Sequence, residues 1–463
     1  MKKLFGTIVA FSSLGAAAMF NAAHADQAQI DALQNAVLEL KQEMSKEKSK
    51  AYFKKGKGLS IESTDGKYSF QMKGRIMYDL TYITNSDQIN SASNTQTFGS
   101  EFRRLRFSIK ANVGDGWGVA FQPDFAETIS DNSNTSGKGV DVKDAFISKK
   151  IKGIGSFKFG NAKSAGGMWE NTSSNSILFM ERPMYNEVAN LAHRMGVHYD
   201  TGGAFGNPFH LALSLTWGDE GAWRQEQENA GSTDQDNDYN FSVAAHYTQK
   251  LGKKNQVMVG GSFTHETFVG GDLVSRKFEA RAQGVHTLGD KVIDSDLVDI
   301  SSYSYGGPQF AYTDGPLFIA GEYYYMKATR DDDITLNVNF GDAKFHGGSL
   351  FAHYFVTGGA NVKISDKKGK IGGVKCKAKF GCTALKVMYE KIDATHSEAT
   401  IAKSTAGHIA HFGINHYFNS NVRLMIDGAK GFYRNGLTNA GVEARHSAEY
   451  NPFSLQTRLH LKF

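Results

Sequence analysis

From Tyr68 to Tyr82 the chain alternates without a break. Tyr68, Phe70, Met72, Gly74, Ile76, Tyr78, Leu80 and Tyr82 share one face of an extended strand, and Ser69, Gln71, Lys73, Arg75, Met77, Asp79 and Thr81 share the other. Strands of soluble sheets average about five or six residues, whereas a tilted strand crosses a bilayer in about 9 to 11. The length of this alternation predicts a membrane-crossing strand with an apolar outer face and a charged inner one.

The pattern recurs with turn residues between its copies. In the segment from Phe102 to Val113, Leu105, Phe107, Ile109, Ala111 and Val113 alternate with Arg104, Arg106, Ser108, Lys110 and Asn112. Arg or Lys facing lipid near the midplane costs about 2 to 4 kcal/mol, so the charged face must line the lumen. Gly114-Asp115-Gly116 forms a tight turn, after which Trp117, Val119, Phe121 and Phe125 face outward. Further strands are expected at 140–151, 156–163, 194–200, 208–217, 239–250, 256–267, 303–313, 317–328, 345–356, 384–393, 408–418, 421–432 and 453–463, sixteen in all. An even count returns both ends to one side, and a barrel of this size leaves an aqueous channel. The expected fold is all-β: a 16-stranded antiparallel transmembrane β-barrel with a short N-terminal helical segment.

The N-terminal region breaks the alternation. Lys2 and Lys3, an apolar stretch from Leu4 to Phe20 and then Ala23-His24-Ala25 read as a secretory signal over 1–25, cleaved before Asp26. In 26–50, Ile30, Leu33, Val37, Leu40 and Met44 occupy the a and d places of a heptad, which predicts an amphipathic helix able to join copies of the chain once the barrels bring them together. A polar linker, 51–66, leads to the barrel domain, 67–463. No later window approaches about 18 consecutive apolar residues, so helical membrane spans are excluded. The content of 32 Phe, 19 Tyr and 50 Gly against 6 Pro suits alternating strands, and a formal charge of +5 is too mild to argue for nucleic acid.

Three connections are too long for turns: 164–193, 268–302 and 357–383. By parity the first two lie outside the cell and the third in the periplasm. Long loops in a compact fold are usually functional or disordered. The first holds Met168, Trp169, Ile177, Leu178, Phe179 and Met180, an apolar content that is hidden if the loop folds into the barrel and narrows it. The last strand sets Phe453, Leu455, Leu459, Leu461 and Phe463 outward and Arg458, His460 and Lys462 inward, and its terminal Phe is similar to the assembly signal of bacterial outer-membrane barrels.

Several runs carry a family resemblance over nearly all of the mature chain. Phe102-Arg103-Arg104-Leu105-Arg106, Val140-Asp141-Val142-Lys143-Asp144-Ala145-Phe146 and Gly155-Ser156-Phe157-Lys158-Phe159-Gly160 resemble the phosphate-selective porin O/P family. Asn171-Thr172-Ser173-Ser174-Asn175 with Met180-Glu181-Arg182-Pro183 resembles its constriction loop. The resemblance implies a homotrimeric porin of the bacterial outer membrane, in contact with outer-membrane lipid and lipopolysaccharide and passing small anionic solutes. It assigns Ser173, Ser174, Asn175 and Glu181 to the constriction. The expected pore-lining and anion-contact residues are Lys73, Arg75, Arg103, Arg104, Arg106, Lys110, Lys158, Arg182 and Arg281. The sequence departs from the family where a phosphate-contacting lysine is replaced by Asn175, and where a ladder of arginines becomes Arg276, Lys277, Glu279 and Arg281.

Electrostatics set the alternatives. Unit charges about 4 Å apart interact by about 4 kcal/mol at an effective dielectric near 20, so a ring of cations selects anions unless acids answer it. Asp144, Glu181 and Glu322 are the acids placed to answer. The competing readings are a general pore with opposed charges across it, and a structural or adhesive outer-membrane protein. Cys376 and Cys382, on an exported segment, are disulfide candidates. No metal site or cofactor is expected, and no enzyme motif is found: His265-Glu266 lacks a second His, and neither Gly-x-Ser-x-Gly nor a P-loop occurs. Trp117, Trp217, Tyr247 and Phe463 suit the aromatic girdles at the two interfaces. Asp331, Asp332 and Asp333 read as a solvated loop tip.

Overall fold

A computed structural model describes residues 31–32, 34–39, 50–54, 58–84, 97–129, 140–189, 191–204, 206, 208–217, 239–268, 276–281, 285–286, 291–297, 300–330, 341–394, 405–435 and 451–463. Its strands, in chain order, begin with β1 (Lys50–Lys54), β2 (Gly58–Glu62), β3 (Tyr68–Ile83), β4 (Phe98–Val113), β5 (Trp117–Asp124), β6 (Asp141–Ile151), β7 (Gly155–Lys163) and β8 (His193–Asp200). They continue with β9 (Phe209–Trp217), β10 (Tyr239–Lys250), β11 (Asn255–Thr267), β12 (Arg276–Arg281), β13 (Lys291–Leu297), β14 (Ile300–Asp314), β15 (Leu317–Arg330) and β16 (Ala343–Phe355). The last are β17 (Asn361–Ser365), β18 (Lys370–Lys375), β19 (Cys382–Asp393), β20 (Thr405–Tyr417), β21 (Val422–Asn435) and β22 (Phe453–Lys462).

The main sheet has eighteen strands. Setting aside β1 and β2, sixteen remain, each antiparallel to its neighbours, and β22 closes the ring on β3 from Ser454 opposite Ile83 to Lys462 opposite Arg75. Closure leaves no free edge along the wall, the condition for burying strands in hydrocarbon. Below the end of β22, β2 takes over the edge of β3, with Leu59 opposite Met72 and Glu62 opposite Ser69. The strand count is the expected one. Helix is described at 31–32 and 34–39; of the heptad positions only Val37 falls there, and Ile30, Leu33, Leu40 and Met44 lie outside the described residues, as do Asp331, Asp332 and Asp333.

Side-chain burial confirms the two faces. On β3, Met77, Asp79, Thr81 and Ile83 are buried inward while Tyr78, Leu80 and Tyr82 are exposed outward. One irregularity changes the reading of β4. Met77 pairs with Arg104 but Tyr78 pairs with Phe102, so Arg103 is an extra residue in a β-bulge. A bulge turns two successive side chains toward one face, and it brings both Arg103 and Arg104 into the lumen.

All three long connections enter the barrel. The 164–193 connection contains one-turn helices at Met168–Asn171 and Met184–Val188. The second contributes the hairpin β12–β13, whose Phe278 packs on Tyr303 and Phe345 at 4.7 and 5.2 Å. The third corrects the expectation that 357–383 lies in the periplasm: β17 and β18 form a hairpin turned back into the lumen, where Val362, Ile364 and Ile371 are buried. Two isolated strands are marginal in water, and folding inward hides this hairpin's apolar face.

Candidate functional site

The constriction loop is held by polar groups of the barrel wall that satisfy its backbone. Gln309 Oε1 accepts Met168 N–H at 2.9 Å, Glu322 accepts Trp169 N–H at 3.2 Å, and the Trp169 indole donates to Ser349 Oγ at 3.1 Å. Lys386 Nζ and Asn415 Nδ2 donate to Leu178 O at 2.9 and 2.8 Å, and Arg423 donates to Ile177 O at 2.8 Å. Asp427 accepts Met180 N–H at 2.8 Å and Glu390 accepts Met184 N–H at 2.6 Å. Met168, Trp169, Ile177, Leu178, Phe179, Met184 and Tyr185 are buried in the same core. Buried backbone without partners is costly, so these anchors fix the loop's path against the wall from β14 to β21.

At the loop's inner bend Glu181 gathers three arginines. Arg103 donates to it at 3.0 and 3.2 Å, Arg104 at 3.2 and 3.1 Å, and Arg458 at 2.7 Å. Arg458 also binds Asp79 at 2.7 and 2.6 Å and reaches Met180 O. Burial opposes ionisation of Glu181, but Arg103, Arg104 and Arg458 together hold its carboxyl well below the usual range. Glu101, which faces Arg103 and is the cross-strand partner of Asp79, makes a third acid, so three cations meet three acids and the knot is close to neutral.

The same stretch of wall, continuing from β22 and β3 round to β8, carries the other groups. Arg106 binds Asp124 at 2.6 Å, and Arg75 donates to Ser174. Asn175 Oδ1 meets His460 Nε2 at 3.0 Å, and Ser173 Oγ accepts Asn175 N–H at 3.3 Å. Asp144 lies 3.5 Å from His193. Lys73 and Lys110 are on the inward face of β3 and β4, and Lys158 sits 5.2 Å over the Phe146 ring. Arg182 turns into its own loop, donating to Trp169 O and Thr172 O at 2.8 Å each and lying 3.6 Å from Glu170. Glu170 also meets Lys163 at 2.5 Å; burial opposes its charge, yet Lys163 and Arg182 hold it down at about 2. Arg281, in the second inward hairpin, is bound to Glu187, while the side chains of Arg276, Lys277 and Glu279 lie outside the described residues.

The third hairpin presses from the other end. Ile371 N–H donates to Thr172 Oγ1 at 3.1 Å and Lys370 Nζ to Asn171 O at 3.0 Å, so it touches the constriction loop directly. Its tip meets the wall through Lys250 to Asp366 at 2.8 Å and Lys368 to Asp200 at 3.9 Å. Gly369 has φ +50, and a Cβ there would stand 2.1 Å from His246 Nδ1. Burial, then Lys368 and Lys158, pushes the Lys370 amine down to about 8. Cys376 and Cys382 are joined by a disulfide at the hairpin's root, with Cα atoms 5.9 Å apart.

The structure therefore brings together Arg103, Arg104 and Glu181, and separates Arg182 and Arg281 from them by giving each a partner of its own. Two members of the site were missed in the sequence. Asp124 was given no role, although it directly precedes the outward Phe125 and so has inward parity. Arg458 was placed inward without a role, because nothing in the last strand reveals that it meets a loop 277 residues earlier.

A closed barrel of sixteen strands, narrowed by its own inward loops and lined with charge, is the architecture of an outer-membrane porin. The chain belongs to the family of phosphate-selective porins O and P, whose model matches residues 70–463. It is a bacterial outer-membrane protein of the channel-forming kind. Solved structures share the fold at low identity. The outer membrane channel DcaP of Acinetobacter baumannii is 11% identical with a TM-score of 0.50, covering 87% of this chain and 99% of its own. An anion-selective porin from Comamonas acidovorans is 13% identical with a TM-score of 0.47, covering 86% and 100%. In-vitro folded OmpT of Vibrio cholerae, in its trimer form, is 14% identical with a TM-score of 0.44, covering 85% and 99%. No curated protein sequence matches the chain significantly.

Proposed function

We propose that this porin passes small hydrophilic solutes by passive diffusion, prefers anions and is not specific for phosphate. The observation that carries the preference is a basic cluster beside the constriction loop, where Arg75, Lys110 and Lys158 on the wall and Lys370 on the third hairpin stand around Asp144 and Asp200, four cations to two acids. Against phosphate specificity stand the engagement of Arg103 and Arg104 by Glu181 and of Asn175 by His460, which leave few donors converging on a phosphate. Reversal potentials in a salt gradient across planar bilayers test the reading. Chloride should permeate more readily than potassium, with phosphate blocking no more strongly than sulfate; cation preference overturns it.

The general-pore alternative draws on the acids. Glu181, Asp124 and Asp144 answer part of the cationic face, and equal permeability to both ions would favour that reading over anion preference. In the assembled protein the signal segment 1–25 is removed, 26–50 forms a helix joining three copies, 51–66 links it to the barrel, and the short-turn end faces the periplasm. Outer-membrane lipid and lipopolysaccharide surround the barrel. N-terminal sequencing and the mass of the detergent-solubilised oligomer test these assignments.

A further inference from the structure

On the outer wall, away from the lumen, β15, β16 and β19 leave a groove of about 290 Å³. It exists because Gly348 stands outward between Tyr323 on one neighbouring strand and Lys391 on the other and has no side chain to fill the space between them. Tyr323, Leu350 and Tyr389 form its exposed apolar walls. The volume is close to the lower limit of about 300 Å³ for small-molecule sites.

Lys391 makes one side of the groove basic, and Lys344 stands four residues beyond Gly348 on β16, toward the long-loop end. Lys391 lies two residues below the long-loop end of β19, and Lys344 is the second residue of β16. Lys327 and Lys344 are direct cross-strand partners, an arrangement of like charges that is unfavourable by itself. Asp342 answers Lys327 at 2.6 Å, while Lys344 and Lys391 make no ion pair among the described residues. His346 borders the groove beside Tyr323, and His408, the cross-strand partner of Lys391, stacks on Phe432 at 4.9 Å. From Lys391 the outward side chains become Tyr389, Val387 and Leu385, an apolar descent of about 20 Å at ~3.3 Å per residue.

We propose that this groove binds a phosphorylated glycolipid of the outer leaflet, with one acyl chain laid over Gly348 and its phosphate between Lys344 and Lys391. The assignment rests on the porin orientation given above, which sets the long-loop end in the outer leaflet. Charge complementarity selects the occupant: two exposed ammonium groups above a hydrocarbon-lined slot match an anionic head carrying acyl chains. A second copy of the chain fits poorly, because an interface here would desolvate those ammonium groups without counter-charges.

The test uses the full-length oligomer purified in detergent and native mass spectrometry. Probes are lipid A bearing both phosphates, dephosphorylated lipid A, and phosphatidylglycerol. Wild type should retain phosphorylated lipid A in preference to the other two. The double variant Lys344→Gln/Lys391→Gln should lose retention by roughly 25-fold, about five-fold for each lysine removed from an anionic surface. Gly348→Leu, which fills the groove, should lose it while keeping both lysines; Lys149→Gln on the opposite wall should change nothing. Equal retention by the lysine variant, equal binding of phosphatidylglycerol, or dissociation of the oligomer by these substitutions overturns the proposal. Conductance of the same samples separates the two readings: lipid selectivity without conductance sinks the porin function alone, and conductance without lipid selectivity sinks the lipid site alone.

Discussion

Arg104 and Glu181, 77 residues apart, meet in a two-pronged contact at 3.2 and 3.1 Å with the arginine almost wholly buried. A planar guanidinium matched to a carboxylate fixes both orientation and charge. The bulge at Arg103 is what allows its neighbour to join the same carboxylate. The pair thus ties the position of the constriction loop to the charge of the eyelet, so that altering one alters the other.

Replacing Glu181 by Gln removes the acid that answers Arg103, Arg104 and Arg458. Anion preference should rise several-fold, read as a larger reversal potential in a salt gradient, since charges about 4 Å apart in a partly wet site interact by ~4 kcal/mol. The same change should lower thermal stability, because three cations are then left crowded.

Arg104→Ala should move selectivity the other way, toward cations. It also leaves a buried carboxylate short of a partner, at a cost of about 3 to 5 kcal/mol when a buried pair is broken. Unchanged selectivity in the same salt gradient would remove Arg104 from the eyelet.

The Lys370 amine, at about 8, is charged below that pH and neutral above it. Anion preference should therefore fall as pH rises through about 8. Lys370→Gln should flatten this step while leaving the channel open, as measured by reversal potential across a pH series.

Glu170 gives a stability signal at the acid end. Its folded value of about 2 lies below the ordinary glutamate value of 4.5, so its contribution is complete above 4.5 and disappears as pH falls through about 2. Thermal unfolding followed across that window should show the loss, and Glu170→Gln should reduce it.

Gly369→Val should displace the tip of the third hairpin, because φ +50 disfavours a branched side chain and His246 occupies the space it would need. Cutting the hairpin's root with Cys376→Ser/Cys382→Ser should loosen the same element from its other end, at a cost near the lower part of the ~2 to 4 kcal/mol range for disulfides. Both variants should show larger or noisier single-channel conductance than the wild type.

The sequence determined the wall. Alternation has a period of two, lipid tolerates little charge on its side, and each strand's inward and outward sets, from Tyr78 and Asp79 on β3 to Leu459 and Arg458 on β22, follow from those two facts. It also marked the first long loop as too apolar for water. Tertiary structure alone decided what happens inside. A bulge changes one residue's face without leaving a trace in the alternation, and the union of Arg458 with Glu181 joins segments 277 residues apart, so no local pattern contains it. The third hairpin reads as periplasmic by strand parity, yet parity fixes only where a loop leaves the wall. Burial of Val362, Ile364 and Ile371 and the hydrogen bond from Ile371 to Thr172 decide where it ends.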